Sequence, residues 1–382
     1  MSEVDEYGFN VAIQEKARRY LREKILLNLF ELTFFTFAAL FVVFSGLSQA
    51  LRNYAKSYVS DPWGYIAVYC LIGYTIFWIF SLIFKFLRNY LIEHKYGVSV
   101  QTLSSWLKDQ AKIYVGTLAF LLPVVELIYH SMRKTPTIWW LITWFFTCIG
   151  IALTMYILPV VIMPLFYKFE PLKDKELVER LVRLAEKAKV KVVGVYKMGA
   201  AAKTRRAIGA LTGMGNTRRI LLSDTLLDNY TKDEIEGVIG HELGHHVHKH
   251  IGKIIAALMI IMLISLYLVN LTLRNSLDVF GFEGIADIAN LPLFGMVINL
   301  VNWVSMPVLN SFSRRLERQA DEYELKLVDK PEAFISCMVK ICDQNLRYAN
   351  PHPLIEAFFY DHPSGRNRIK LARKFIESKK TA

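Results

Sequence analysis

Five of the nine histidines in this 382-residue chain fall between positions 241 and 250, and two of them frame the run His241-Glu242-Leu243-Gly244-His245. On a helix, residues four apart share a face, so both imidazoles can be offered to one metal ion while Glu242, one step round, reaches a water held beside it. Zinc suits such a set, because it accepts neutral imidazole and carboxylate in a tetrahedron and leaves a position for water. A metal so held acidifies water and polarises a carbonyl, and Glu242 is the base that takes the water proton and later passes it toward a leaving amine. The chemistry expected of such a set is peptide hydrolysis.

The site needs a third ligand. Glu317 and Asp321, in Ser313-Arg314-Arg315-Leu316-Glu317-Arg318-Gln319-Ala320-Asp321, are again four apart and point the same way on a helix. With Glu317 as ligand, Asp321 either hydrogen-bonds a ligand histidine from behind or donates a proton to the tetrahedral intermediate. His248, seven residues after His241, is the rival ligand; His246 and His250 are expected on a polar face near the membrane surface. The rival to the whole pair is an ion-pair network of Glu317 and Asp321 with Arg314, Arg315 and Arg318.

These residues must be carried by helices. Thr231-Lys232-Asp233-Glu234 has the form of a capping box, which predicts a helix from Thr231 through His245. Upstream, Lys173 to Lys189 reads as a polar helix, Val190 to Met198 and Arg218 to Leu222 as strands, and Gly213 to Gly215 as a turn.

Beyond this insert the chain is apolar. Hydrophobic residues make up 53% and charged residues 21%, which excludes an ordinary soluble protein. Six stretches are long enough to cross a bilayer: Leu26 to Leu47, Gly64 to Phe84, Ile113 to Ile128, Ile138 to Phe166, Ile254 to Leu273 and Leu291 to Leu309. The first reads as a signal anchor, not a cleavable leader. The third is short and holds Glu126, and the fourth holds Pro159 and Pro164, which predict a kink or early stop. Glu31, near a helix end, is read as snorkelling.

Five basic residues precede the first span and five lie between the second and third, against two, two and one in the loops assigned to the other side. The positive-inside rule therefore places both termini and the connection Tyr167 to Lys253 in the cytoplasm. Two spans separate the histidine helix from Glu317, so both halves of the site return to one side. The net charge of +12 is read as topology-setting loops and contact with lipid head groups, not nucleic acid. Cys70, Cys148, Cys337 and Cys342 show neither CxxC pairing nor regular spacing, so neither a disulfide framework nor a thiolate metal site is expected. A transport role through Glu31 and Glu126 is the reading from another class.

From about Phe166 to Ile369 the sequence resembles the integral-membrane CAAX prenyl protease family of gluzincin metallopeptidases. The matching text is Phe169-Glu170-Pro171-Leu172, the run Thr217 to Leu227, His241 to His245 with His250, Glu317-Arg318-Gln319-Ala320-Asp321, and His362-Pro363-Ser364 with Arg368-Ile369. The resemblance implies one zinc ion on His241, His245 and Glu317, Glu242 as base, Asp321 as a second acidic catalytic residue, and His362 with Arg368 lining the site for an oxyanion or substrate carboxylate. It implies a helical membrane chamber and cleavage near the C-termini of peptide or protein substrates, prenylated ones included, in the plasma membrane or the endoplasmic reticulum.

The sequence departs from the family in having six spans where seven are usual, and Ile208-Gly209 where the edge strand that holds substrate has Asn-Ala. Backbone pairing survives the second change, because it uses main-chain bonds. An HtpX-type quality-control protease and a zinc-binding scaffold without turnover are the alternatives. The expected fold is a six-span helical membrane protein with a cytoplasmic α+β zincin-like insert. The expected divisions are an N-terminal segment 1–25, spans in 26–166, the insert 167–253, spans in 254–309 and a C-terminal helical segment 310–382.

Overall fold

The computed structural model describes residues 3–157, 161–213 and 218–381. The expected turn at Gly213 to Gly215 and the start of the Thr217 motif lie partly outside the described residues, and Pro159 lies outside them. Six helices make the membrane part: α1 (Val11–Phe44), α3 (Pro62–Phe86), α5 (Leu103–Lys134), α6 (Trp139–Ile157), α10 (His250–Phe280) and α11 (Leu291–Val328). Between them lie α2 (Leu47–Tyr58) and the short α4 (Ile92–Lys95), the latter joined to α3 through a π-turn at Leu87–Leu91.

Among the described residues, five helical stretches are long and apolar enough to cross a bilayer, and α6 is a shorter apolar helix. The protein is a multi-pass membrane protein. Of the expected fourth span, Ile138 to Phe166, the described residues show α6 over Trp139–Ile157 and Pro164 in a single 3-10 turn at Met163–Leu165. The expected third span, Ile113 to Ile128, is the middle of a 32-residue helix that begins well before it and holds Pro123. Glu31 is ion-paired with Arg88, while neither carboxylate oxygen of Glu126 has a hydrogen-bond partner among the described residues.

The extramembrane part holds a four-stranded sheet of β1 (Phe169–Pro171), β2 (Val195–Met198), β3 (Gly209–Thr212) and β4 (Arg219–Ser223), in the order β1-β2-β4-β3. β2 runs parallel to β4, and both outer strands are antiparallel to their neighbours. Around it pack α7 (Lys175–Lys187), α8 (Asp224–Asn229), α9 (Lys232–Val247), α12 (Pro331–Gln344), α13 (Pro353–Phe359) and α14 (Gly365–Thr381). The N-terminus of the chain belongs to this part as well, with Tyr7 and Phe9 in its core beside Leu181, Ile220 and Ile369.

Helix α9 starts where the sequence predicts. Thr231 accepts from the Glu234 backbone and Glu234 accepts from the Thr231 backbone at 2.8 Å, completing the capping box. Ile235, Ile239 and Leu243, four apart, are buried in the core, each worth about 1.5–3 kcal/mol. That anchoring leaves the histidine face turned toward α11.

Candidate metal centre

What brings α11 to that face is the absence of side chains on α9. A Cβ on Gly244 would lie 3.0 Å from the Ala320 Cα and 3.1 Å from its carbonyl oxygen, and one on Gly240 would meet Val328 at 2.7 Å. Two helices in backbone contact leave room for a side chain of one to reach the other directly. Glu317 on α11 does so.

Its Oε1 lies 3.3 Å from His245 Nε2 and its Oε2 lies 3.2 Å from His241 Nε2, while the two Nε2 atoms are 3.0 Å apart. Ligand atoms in a tetrahedron with bonds of about 2.0–2.1 Å stand about 3.3 Å from one another. Glu317 is buried, and its Oε2, although near two imidazole nitrogens, accepts an aligned hydrogen bond from neither. Two nitrogen lone pairs and an orphaned carboxylate oxygen converging on one point fit a divalent cation. The donor set of two imidazoles and one carboxylate fits zinc.

Behind His241 stands an acidic and basic pair. His241 Nδ1 donates to Asp321 Oδ1 at 2.8 Å, and the Arg368 guanidinium grips both Asp321 oxygens, its Nε at 2.9 Å from Oδ2. Asp321 is wholly buried and Arg368 nearly so. Burial pulls the His241 pKa down, but the hydrogen bonds with Asp321 and Glu317 outweigh it and push it up to about 10. The pocket therefore favours positive charge at this ring, whichever cation supplies it.

Of the other residues singled out in the sequence, Glu242 is half-buried on α9, one position round from His241. His362 brings Nε2 to 3.2 Å from Glu317 Oε2. Its Nδ1 is 2.8 Å from Asp361, which Arg347 also holds at 3.0 Å. Arg368 sits behind Asp321 and holds both of its oxygens. His248 is exposed at the end of α9, its ring stacked on His250 and edge-on to Tyr323, and is not among the converging ligands.

The structure overturns the expectation for His250, which is buried and not on a polar face. The reason is local: α9 ends at Val247, and Lys249 takes the left-handed conformation (φ 55°, ψ 37°), so that positions beyond 248 do not follow the helix period. Glu324 was also missed. It is buried against α9, with Oε2 3.9 Å from His241 Nδ1, and its spacing of seven from Glu317 is the signal that could have found it. Arg314, read only as an ion-pair candidate, instead caps α13 by donating to the Glu356 and Tyr360 carbonyls at 2.8 and 2.7 Å.

Comparison with known proteins points the same way. The profile described as "Peptidase family M48" matches residues 171–376. The one described as "CAAX prenyl protease N-terminal, five membrane helices" matches residues 9–168. The chain is 30% identical over 290 residues to an uncharacterized metalloprotease of Bacillus subtilis, covering 75% of this chain and 68% of the relative. It is 32% identical over 298 residues to a CAAX prenyl protease 1 homolog of Arabidopsis thaliana, covering 76% and 69%. The crystal structure of S. mikatae Ste24p superposes with a TM-score of 0.83, covering 94% of this chain and 89% of that one at 24% identity, and so shares its fold.

Proposed function

The chain belongs to peptidase family M48, a membrane metalloprotease, and on that footing we propose a zinc-dependent endopeptidase that cuts near the C-termini of its protein substrates, as CAAX prenyl proteases do. The observation that carries the proposal is the convergence of His241, His245 and Glu317, whose ligand atoms lie within 4.8 Å of one another. These three residues hold one zinc ion, which when bound acidifies water and polarises a carbonyl.

Glu242 takes the proton of the attacking water and returns it to the leaving amine. His362, fixed by Asp361 and Arg347, places its Nε2 at the rim of the Glu317 carboxylate and, as the imidazolium with its Nδ1–H on Asp361, donates to the developing oxyanion. Asp321 acts through His241, holding the tautomer whose Nε2 lone pair faces the metal, and Arg368 neutralises Asp321 so that it can stay buried.

The sheet supports the same reading. β3 is an edge strand, and its outer side can pair with an extended substrate. Gly209 suits the packing there, because a Cβ would fall 2.5 Å from Val238 Cγ1 on α9. The distribution of basic loops supports a site, with segments 167–253 and 310–382, on the cytoplasmic side of the plasma membrane or endoplasmic reticulum. Substrates there are proteins near the bilayer, prenylated ones included, with lipid as the surrounding partner.

The test is metal content of the detergent-purified protein beside His241→Ala and Glu317→Ala. One zinc per chain, lost in both variants, is the expected result. Stoichiometric zinc in folded Glu317→Ala would remove the third ligand from this scheme, and a folded wild type without zinc would remove the metal.

A further inference from the structure

Metal ligation leaves unexplained the Nδ1 of His245 and the whole ring of His250 that faces it. The left-handed Lys249 turns the chain sharply, and His250 re-enters as the first residue of α10. The turn brings His250 Nδ1 to 3.0 Å from His245 Nδ1, and His250 Nε2 to 3.1 Å from Gln319 Oε1 on α11. His250 is 0% exposed, so neither nitrogen has water as an alternative partner.

Hydrogen placement then follows from chemistry. Two Nδ1 atoms at this distance need one donor and one acceptor. His245 directs its Nε2 at His241 and Glu317, where a lone pair is required for a metal, so its hydrogen is on Nδ1. His250 therefore accepts at Nδ1 and carries its own hydrogen on Nε2, facing an amide oxygen that can only accept. One assignment satisfies all three side chains.

We infer that His250 is a positioning residue of the metal site: a neutral acceptor that fixes the tautomer and ring plane of His245 and fastens both to Gln319. The inference rests on His245 being a ligand. It gives the two ligand histidines unlike supports, since His241 leans on a carboxylate clamped by arginine and His245 on an uncharged imidazole backed by an amide. It also makes the first residue of one membrane helix, and a side chain of the next, part of what orients the metal.

The experiment measures zinc affinity by competition with a chelator on the full-length protein in detergent. It compares His250→Ala, His250→Asn and His245→Ala with wild type, and adds melting of each in excess chelator. Loss of a hydrogen-bond partner behind a ligand histidine weakens metal binding by about 10–100-fold, and that is the expectation for His250→Ala. His250→Asn, whose amide oxygen takes the place of Nδ1, should recover most of the loss. Wild-type affinity in His250→Ala would overturn the inference. So would equal weakening in both variants with a matching drop in chelator-phase melting, which would make His250 a packing residue. Retention of zinc by His245→Ala would instead sink the ligand assignment beneath it.

Discussion

The two ends of the membrane bundle are both held by buried polar groups, but they treat those groups differently. At the end away from the metal centre, Ser48 joins Tyr69 and the Ala289 carbonyl at 2.6 Å each, and Tyr129 donates to Asn290 at 2.6 Å. There Arg52 pairs with Asp287, which also accepts from the Glu283 and Ala289 backbones. At the metal end, Glu317 and Glu324 each keep a buried oxygen without a hydrogen-bond partner. An unpaired buried acceptor costs about 1–3 kcal/mol. Open acceptors alone do not mark a site, since Gln49 and Glu126 keep them too; what sets the metal end apart is that the open Glu317 oxygen faces imidazole nitrogens of two other segments, and that convergence is where a ligand belongs.

Three variants would break or sharpen this contrast. The largest effect is expected from Glu242→Gln, which should keep zinc yet lose about 10²–10⁴-fold in peptidase turnover, the usual contribution of a general base; turnover on a peptide substrate, measured beside metal content, checks it. Asp321→Asn should follow, with zinc affinity lowered by about 10–100-fold, since the amide offers His241 a weaker acceptor and leaves Arg368 buried with no counter-charge. Chelator competition reads that effect. The smallest effect at the site should come from Arg52→Leu at the other end. It strands Asp287 and should cost about 3–5 kcal/mol of stability, seen as a lower melting temperature, while zinc content and turnover of the folded fraction stay at wild-type values. Loss of zinc in that variant would show that the two ends are not separable.

Much of the metal end is legible in the sequence, because its residues are set by helix periodicity. His241 and His245, and Glu317 and Asp321, each lie four apart on continuous helices, and the capping box fixes where the first helix begins. What could not be read depends on departures from period or on contacts between distant segments. His250 lies past a left-handed residue, and a non-glycine residue in that conformation carries little local signal. The bidentate hold of Arg368 on Asp321 spans 47 positions. At the opposite end, α2 is too short and polar to resemble a span, and the Ala289 and Phe280 carbonyls that it reaches lie more than 230 positions away.

The close crossing of α9 and α11 has a consequence for which residue can occupy position 317. Because Gly240 and Gly244 already bring the two backbones together, the crossing has no slack left. A carboxylate one methylene shorter could not be compensated by sliding the helices inward, and a bulkier residue at either glycine would draw Glu317 out of reach. The gap between the helices thus acts as a length gauge, selecting glutamate over aspartate as the third ligand by reach alone, before any difference in charge or basicity is felt.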